Sequence, residues 1–310
     1  MKYRWSNKWP FLKPRITSVI LFIAVLFIAM QFLKKSPEAV IIGSKNFTEQ
    51  ILLAEMIAAL IENDPAGKSL TVQKKLNLGG TFVCFNALKN NKLDCYVEYT
   101  GTGLTAILKK NPISNPDSVY SIVYDEFKKN WNIIWMQPVG FNNTYTLTMR
   151  KNQADSLGIQ SISDCIKYRF TLRPGFNNEF LERPDGYQGL IKRYGFSFTK
   201  RPKEMNTGLM YQSIAGNKVD IICGFSTDGR IKAFNLVCLE DDKHFFPPYY
   251  AACLVRSELL DKHPELSNVL NRLSGHITNE EMAAMNYLVD EKNALPEKVA
   301  YDFLKSKGLI

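Results

Sequence analysis

The chain has 310 residues, of which 45% are hydrophobic and 22% charged. This is long enough for two domains with buried cores and excludes a disordered or fibrous protein. Its net charge of +9 would suit a nucleic-acid binder if it were spread over a folded surface. However, seven of the 39 basic residues precede the first acidic residue, Glu38, and the rest of the chain carries 32 basic against 30 acidic side chains. The composition therefore indicates no nucleic-acid partner.

Residues 16–33 form an apolar stretch in which only Thr17, Ser18 and Gln31 are polar. Its length is close to the minimum for a membrane-spanning helix and exceeds a typical signal-peptide apolar region. Five basic residues precede it and two follow it, so the positive-inside rule places the amino terminus in the cytoplasm. We therefore predict that residues 1–38 are a basic tail and an uncleaved anchor. The body would lie at the outer face of the cytoplasmic membrane or in the periplasm, and a cleaved signal peptide is the alternative.

Beyond the apolar stretch, strand patterns alternate with helix patterns, which predicts an α/β protein with mostly parallel sheets. Asn46 and Glu49 have the spacing of a reciprocal helix cap. Strands are predicted at residues 39–42, 70–78, 133–139, 145–150, 169–172 and 250–256, and helices at residues 47–63, 82–89, 117–130, 178–194, 209–215, 258–273, 279–292 and 296–307.

One segment occurs twice. Residues 91–103 read NKLDCYVEYTGTG and residues 217–229 read NKVDIICGFSTDG, so both keep Asn-Lys, an aliphatic residue, Asp, an aromatic residue and a final Gly. Each copy follows a helical pattern and predicts a strand that ends in a turn. Ligands of open α/β sheets bind at the carboxyl ends of strands. Two copies therefore predict two lobes that face one cleft.

Two turn-rich segments, residues 140–144 and Pro247-Pro248, are the predicted crossings between the lobes. They divide the chain into lobe I, residues 39–143 and 249–310, and lobe II, residues 144–248. The aspartates of the repeat, Asp94 and Asp220, are expected to have structural roles at the start of each strand.

The sequence contains six scattered cysteines, no Cys-x-x-Cys pair and only three histidines. This spacing indicates neither a zinc site nor a redox motif, and it leaves open whether any cysteines pair. No nucleophile elbow, phosphate loop or Ser-His-Asp order is present. We therefore predict no enzyme activity, no metal and no cofactor.

Eight motifs in order resemble those of the glycine betaine, choline and carnitine substrate-binding proteins of osmoprotectant ABC importers. The resemblance covers residues 40–310. The motifs are GSKNFTEQ (43–50), LGGT (78–81), EYTGTG (98–103), NNTY (142–145), EFLERPDGY (179–187), STDG (226–229), FPPYY (246–250) and MNY (285–287).

The resemblance implies a type II periplasmic-binding fold: two α/β lobes, two crossover strands and a cleft that closes on its ligand. It also implies delivery of glycine betaine, choline, carnitine or proline betaine to an ABC permease. The positions that match the family's aromatic cage for a trimethylammonium group are Tyr99, Tyr145, Phe225 and Tyr249. Those that match its carboxylate clamp are Lys45, Thr102 and Arg183, and the cage and clamp are expected at opposite ends of the cleft.

Several alternatives accompany these assignments. Tyr99 could pack in a core, and Lys45 and Arg183 could pair with Glu49 and Asp185 instead of a ligand. Strand alternation allows only one of Tyr249 and Tyr250 to face the cleft. Many relatives have Tyr at the position of Phe225, which predicts weaker or shifted selectivity. Asp228, the repeat equivalent of Thr102, would repel an anion. A membrane-anchored domain that senses quaternary amines without transport is the alternative function.

Overall fold

The structure, a computed structural model, describes residues 38–310, and the predicted anchor at residues 16–33 lies outside the described residues. Within the described part, no helix is both long and apolar enough to cross a membrane. The strands are β1 (Glu38–Gly43), β2 (Leu70–Lys75), β3 (Cys95–Tyr99), β4 (Ile133–Trp135), β5 (Tyr145–Arg150), β6 (Pro174–Phe176), β7 (Lys203–Glu204), β8 (Ile221–Phe225), β9 (Leu236–Cys238) and β10 (Ala251–Arg256).

Helices surround the strands, and short 3₁₀ turns (Pro65–Ser69 and Ser163–Tyr168) and a π-helical turn (Gly103–Ile107) link some of them. The α-helices are α1 (Thr48–Asn63), α2 (Thr81–Lys89), α3 (Thr100–Thr102), α4 (Pro116–Trp131), α5 (Lys151–Leu157), α6 (Asn178–Glu182), α7 (Tyr187–Tyr194), α8 (Thr207–Ala215), α9 (Arg230–Ala233), α10 (Ser257–Lys262), α11 (Leu266–Asn271), α12 (Asn279–Asp290) and α13 (Pro296–Ser306).

The strands form two five-stranded sheets, in the orders β2-β1-β3-β10-β4 and β7-β6-β8-β5-β9. The two copies of the repeat supply the central strands, β3 and β8. Each sheet is mixed, because β10 runs antiparallel to β3 and β5 runs antiparallel to β8. The prediction of mostly parallel sheets missed these returning strands. The chain passes from the first sheet to the second between β4 and β5 and returns between β9 and β10, which gives two crossings. The residue limits given above for the lobes stay a prediction.

Local sequence signals account for several helix ends. The Asn115 side chain accepts a hydrogen bond from the Ser118 N–H at the start of α4, and Asn132 ends that helix in the left-handed conformation. The predicted cap at Asn46 is wrong. Phe47 is the N-cap of α1, and its side chain has no acceptor that could cap the helix. The Glu49 carboxylate does not reach back to the cap, because it accepts from Tyr99, Asn143, Thr227 and Asn286.

The predicted helix over residues 178–194 is two helices, α6 and α7. Arg183 ends α6 in an extended conformation, as expected for a residue before proline. The break turns the Arg183 side chain into the space between the sheets. The strand predicted at residues 169–172 is also wrong, because this segment forms a turn and β6 starts two residues later.

The aspartates of the repeat hold the starts of the central strands. Asp94 accepts the Ile41 N–H at 2.7 Å and pairs with Arg256 at 2.6 Å. Asp220 accepts the Arg173 N–H at 2.9 Å and pairs with Arg150 and Arg173 at 2.9 and 2.7 Å. Both therefore have the structural role that the repeat predicts.

A contact between the two halves joins α2 to α6. The Glu179 carboxylate accepts the Thr81 N–H, the first of α2, at 2.5 Å. The N-cap of α2 is Gly80, which has no side chain to cap the helix. A Cβ on Gly80 would lie 2.2 Å from Glu179 Oε1, so glycine makes this approach possible. A carboxylate at a helix amino terminus is also favoured by the helix dipole.

We expect Asp220→Asn to lower the free energy of unfolding at pH 7 by about 2 to 4 kcal/mol, because it leaves two arginines without their carboxylate. Burial alone would raise the pKa of Asp220, but hydrogen bonds from Arg173, Gln153 and Arg150 hold it well below its usual value. The contribution of Asp220 to the free energy of unfolding is thus fully present above about pH 3.9, the pKa of an aspartate in the unfolded chain. It is lost as the pH falls through the lower pKa that Asp220 has in the folded protein.

Urea unfolding at pH 7 and pH 3 measures this effect, and the gap between wild type and variant should shrink at pH 3. The control is Asp155→Asn, whose carboxylate pairs with Lys151 on the surface and should contribute less than about 0.5 kcal/mol. Equal effects of the two substitutions at pH 7 would contradict the structural role of Asp220.

We expect Gly80→Ala to displace Glu179 from the Thr81 N–H, so that this amide exchanges about tenfold faster. The φ of Gly80 is −80°, which alanine tolerates, so the fold should be retained. Hydrogen exchange resolved at Thr81 measures the change. The control is Gly208→Ala in α8, where the nearest atom to an added Cβ is 3.7 Å away. Unchanged exchange at Thr81 in Gly80→Ala would refute the contact.

Candidate ligand-binding cleft

A cleft of about 750 Å³ lies between the carboxyl ends of the two central strands. Side chains from both sheets and from both crossings line it. All seven residues assigned to the ligand from the sequence are on its wall: Lys45, Tyr99, Thr102, Tyr145, Arg183, Phe225 and Tyr249.

The strand ends explain how the aromatic residues come together. Tyr99 is the last residue of β3 and Phe225 is the last residue of β8. Tyr145 begins β5 and lies directly opposite Phe225 in the antiparallel register. The repeat therefore places one ring at the end of each central strand, and the crossing places a third beside them.

The rings are close enough to share one ligand group. The Tyr145 centroid lies 5.2 Å from that of Phe225 and 5.8 Å from that of Tyr249. Burial raises the pKa of Tyr99, Tyr145 and Tyr249 well above the usual value of a phenol, so their hydroxyls stay protonated. Tyr249 faces the cleft, whereas Tyr250 lines a different cavity beside the second crossing, as strand alternation predicts.

Phe47 is a further aromatic wall of the cleft that the sequence interpretation missed. Its ring stacks on Phe225 with centroids 5.8 Å apart and planes 7° apart, and it stacks on Tyr99 at 6.4 Å. The sequence predicts Phe47 as the first residue of the helix at residues 47–63. In the structure it is the extended N-cap of that helix, and its ring lines the cleft. Its place between Lys45 and Glu49 in the GSKNFTEQ motif was the available signal.

Lys45 is 2% exposed, and its charge is balanced by a buried carboxylate. Its Nζ lies 2.5 Å from Glu98 Oε1 and donates to Thr81 Oγ1 at 3.0 Å. The partner is Glu98 and not Glu49, the pairing considered from the sequence. An ammonium carries three donors, so one N–H of Lys45 is left to serve the cleft.

Arg183 is held in the same way by Asp185. Its Nε and Nη2 donate to the two carboxylate oxygens at 2.9 and 2.5 Å, and Nη2 also donates to Thr102 Oγ1 at 3.1 Å. Burial alone would raise the pKa of Asp185, but Arg183 and the Tyr249 hydroxyl hold it below its usual value. Nη1 meets only Glu179, at 3.5 Å, within the described contacts. This side of the guanidinium therefore remains able to grip an anion.

The cationic side chains lie against the aromatic rings. Lys45 Nζ is 5.0 Å from the Tyr99 centroid, and Arg183 Cζ is 5.6 Å from the Tyr145 centroid. The expected separation of cage and clamp to opposite ends of the cleft is therefore wrong. The two groups adjoin, because Lys45 and Phe47 are two residues apart and Thr102 follows Tyr99 by three.

The second copy of the repeat differs at the position equivalent to Thr102. Asp228 accepts hydrogen bonds from Arg230 Nε and Nη2 at 2.9 and 2.6 Å. It lines a second, smaller cavity of about 330 Å³, which Phe47 and Phe225 also line. Asp228 is thus kept out of the main cleft, and only the first copy brings a hydroxyl to it.

Within residues 38–310, no three His, Cys, Asp or Glu residues are grouped so that they could hold a metal ion. All six cysteines are free thiols. Burial raises the pKa of Cys84, Cys165 and Cys223 to about 12, so these thiols stay protonated and behave as small core residues.

Comparison with known proteins agrees with this geometry. The carnitine transport binding protein OpuCC of Listeria monocytogenes is 36% identical over 297 residues, which cover 94% of this chain and 95% of that protein. The ergothioneine transport permease/ergothioneine binding protein EgtU of Helicobacter pylori is 34% identical over 270 residues, which cover 87% of this chain and 48% of that protein.

A crystal structure described as a glycine betaine/carnitine/choline ABC transporter is 37% identical and superimposes with a TM-score of 0.73, covering 88% of this chain and 99% of that one. The two sheets and two crossings are thus those of a two-lobe periplasmic-binding fold of type II. Residues 38–306 match the family model described as the substrate binding domain of ABC-type glycine betaine transport system. The chain belongs to this family of substrate-binding domains.

Proposed function

We propose that this protein captures a small quaternary-ammonium solute outside the cytoplasmic membrane and delivers it to an ABC permease. The observation that carries the proposal is the convergence of aromatic rings from both sheets on one cleft, beside a buried lysine and a buried arginine. The family match favours this role over a sensing domain without transport.

The aromatic rings suit the cationic end of such a ligand. A quaternary ammonium has no N–H to donate, so carbonyls and hydroxyls cannot recognise it through hydrogen bonds. Ring faces attract it through their quadrupoles, by about 0.5 to 2 kcal/mol each, and also contact its methyl groups. We assign this role to Tyr99, Tyr145, Phe225 and Tyr249, and we add Phe47. Several such rings together reach the roughly 8 kcal/mol of a micromolar complex.

The clamp residues suit a carboxylate. Arg183 offers Nη1, Lys45 offers one N–H, and the Thr102 hydroxyl, which already accepts from Arg183, can donate to the ligand. Because these groups adjoin the rings, the best ligand has its cation and its carboxylate close together. Glycine betaine separates them by a single carbon, as do proline betaine and ergothioneine. Carnitine has a longer spacer, and choline has no carboxylate.

Phe225 modifies this cage. Its ring centroid lies 5.8 Å from that of Phe47 and 5.2 Å from that of Tyr145. A tyrosine at this position would add a hydroxyl and a more negative ring face. We therefore expect Phe225 to shift selectivity toward ligands held by methyl contact, without abolishing binding.

We expect calorimetric titration of the purified protein to give micromolar or tighter binding of glycine betaine. Proline betaine and ergothioneine should follow, and carnitine and choline should bind more weakly, because neither places a carboxylate close to its ammonium group. Glucose and glutamate are the controls. Absence of heat with every trimethylammonium compound would reject the ligand class, and choline binding without betaine binding would reject the clamp.

The same titrations on Tyr99→Ala locate the site, since the ring should contribute about 1 to 3 kcal/mol to binding. A lower melting temperature with unchanged affinity would instead place Tyr99 in the core only.

We also propose that residues 16–33 tether the protein to the membrane, with residues 1–15 in the cytoplasm. The apolar stretch and its flanking charges carry this proposal. We expect the protein to stay with membranes after an alkaline carbonate wash and to be released only by detergent. Its mass should include the intact amino terminus. A shortened amino terminus together with release by osmotic shock would identify a cleaved signal peptide.

A further inference from the structure

One buried carboxylate in the described part of the chain differs from all the others. Buried charges are normally paired, because taking an ion out of water is costly unless an opposite charge accompanies it. Among residues 38–310, seven acidic side chains are buried, and six of them form a salt bridge. The six pairs are Glu55–Lys74, Asp94–Arg256, Glu98–Lys45, Asp185–Arg183, Asp220–Arg150 and Asp228–Arg230. The seventh carboxylate is Glu49, for which no cation lies within salt-bridge distance in this part of the chain.

Neutral donors surround Glu49 instead. Its Oε1 accepts from the Tyr99 hydroxyl at 2.6 Å and from Asn143 Nδ2 at 2.8 Å. Its Oε2 accepts from the Thr227 hydroxyl at 2.5 Å and from Asn286 Nδ2 at 3.2 Å. Burial raises the pKa of Glu49 above its usual value, and these four hydrogen bonds offset that rise only in part. Four converging donors suit an ionised carboxylate, since a carboxylate only accepts.

Three of the four donors belong to segments that carry the cage, and the fourth, Asn286, lies on α12. Tyr99 is itself a cage ring. Asn143 precedes Tyr145 by two residues, Thr227 follows Phe225 by two, and Glu49 follows Phe47 by two. One carboxylate therefore fixes four aromatic segments that come from both sheets and from the first crossing.

We propose that Glu49 is the counter-charge of the ligand's ammonium group and the residue that positions its aromatic cage. The inference rests on the proposed function. Glu49 does not line the main cleft, because it faces the smaller cavity that Asp228 also lines. It lies behind the cage, with the hydroxyl of the cage residue Tyr99 at 2.6 Å, and among the buried acidic side chains of residues 38–310 it is the one without a cation of the protein. The ligand's ammonium completes the pairing that the other six carboxylates find within the protein.

Two physical effects of Glu49 strengthen the attraction of the cage for the ligand's ammonium group. A negative charge acts over several ångströms where water is excluded, so it attracts a cation held between the rings. The hydrogen bond from Tyr99 to a carboxylate also polarises the phenol and makes its ring face more negative. Lys45 does not supply the cation that Glu49 lacks, although it lies near the Tyr99 ring, because the charge of Lys45 is already matched by Glu98.

The test compares two ligands that differ only in the positive charge of the ammonium group. Glycine betaine and 3,3-dimethylbutanoate have the same shape, but the second has a carbon in place of the ammonium nitrogen. Affinities of both are measured by competition calorimetry for wild type, Glu49→Gln and Glu49→Asp. The matched control is Glu55→Gln, which removes a buried carboxylate from the same helix at a position paired with Lys74.

For Glu49→Gln, we expect betaine to bind about tenfold more weakly or worse, whereas dimethylbutanoate binds as before or more tightly. Loss of a negative charge harms a cation and favours an anion, so the two ligands respond with different signs. Glu49→Asp keeps the charge and should retain the preference for betaine, even if displacement of the cage weakens both ligands. Glu55→Gln should leave the preference unchanged.

Equal weakening of both ligands in Glu49→Gln would overturn the inference, because it would reveal a structural role alone. If this variant does not fold, Tyr99→Phe decides the question. It removes the bond to Glu49 but keeps the ring, so betaine should weaken several-fold while dimethylbutanoate does not, and equal weakening would again overturn the inference. If wild type binds no trimethylammonium compound, the proposed function itself fails. That outcome is distinct from betaine binding that does not depend on Glu49.

Discussion

Lys45 and Arg183 can be buried at the cleft because each lies against a carboxylate of the protein. Glu98 and Asp185 are completely buried and compensate these cations at 2.5 Å. Without them, two buried cations would carry a large desolvation penalty. With them, the clamp has almost no net charge of its own, so a zwitterion can enter without a large electrostatic imbalance. The N–H groups of Lys45 and Arg183 that make no bond within the protein determine where the carboxylate of the zwitterion lies.

Because both cations are compensated internally, the aromatic wall can approach them closely. Phe47 stacks on both Tyr99 and Phe225, and Tyr145 lies beside Phe225 and Tyr249. Several of these residues also join the halves of the molecule, since Tyr249 donates to Asp185 and Thr102 accepts from Arg183. Ligand contact and contact between the sheets thus use the same side chains. A bound ligand would stabilise the arrangement in which the sheets are close.

Much of the architecture could be predicted from the sequence because it depends on short-range patterns. The repeat predicted the two central strands, because an apolar run that ends in Tyr99 or Phe225 and is followed by a turn is typical of a buried strand. The helix predicted at residues 117–130 corresponds to α4, which spans Pro116–Trp131. Strand alternation chose Tyr249 over Tyr250. The seven residues proposed to bind the ligand follow from the resemblance, motif by motif, and spacing alone leaves open whether Tyr99 packs in a core.

Other features depend on residues far apart in the chain. Glu49 has the spacing of a helix cap, but it meets donors 50, 94, 178 and 237 residues away. The sequence predicts Phe47 as a helical residue, but in the structure it is an extended N-cap whose ring lines the cleft. The sequence by itself determined two lobes, a cleft and the kinds of residue that line it, because local spacing encodes strands, helices and turns. Only the tertiary structure decided which carboxylate balances which cation, because pairing depends on distances in space.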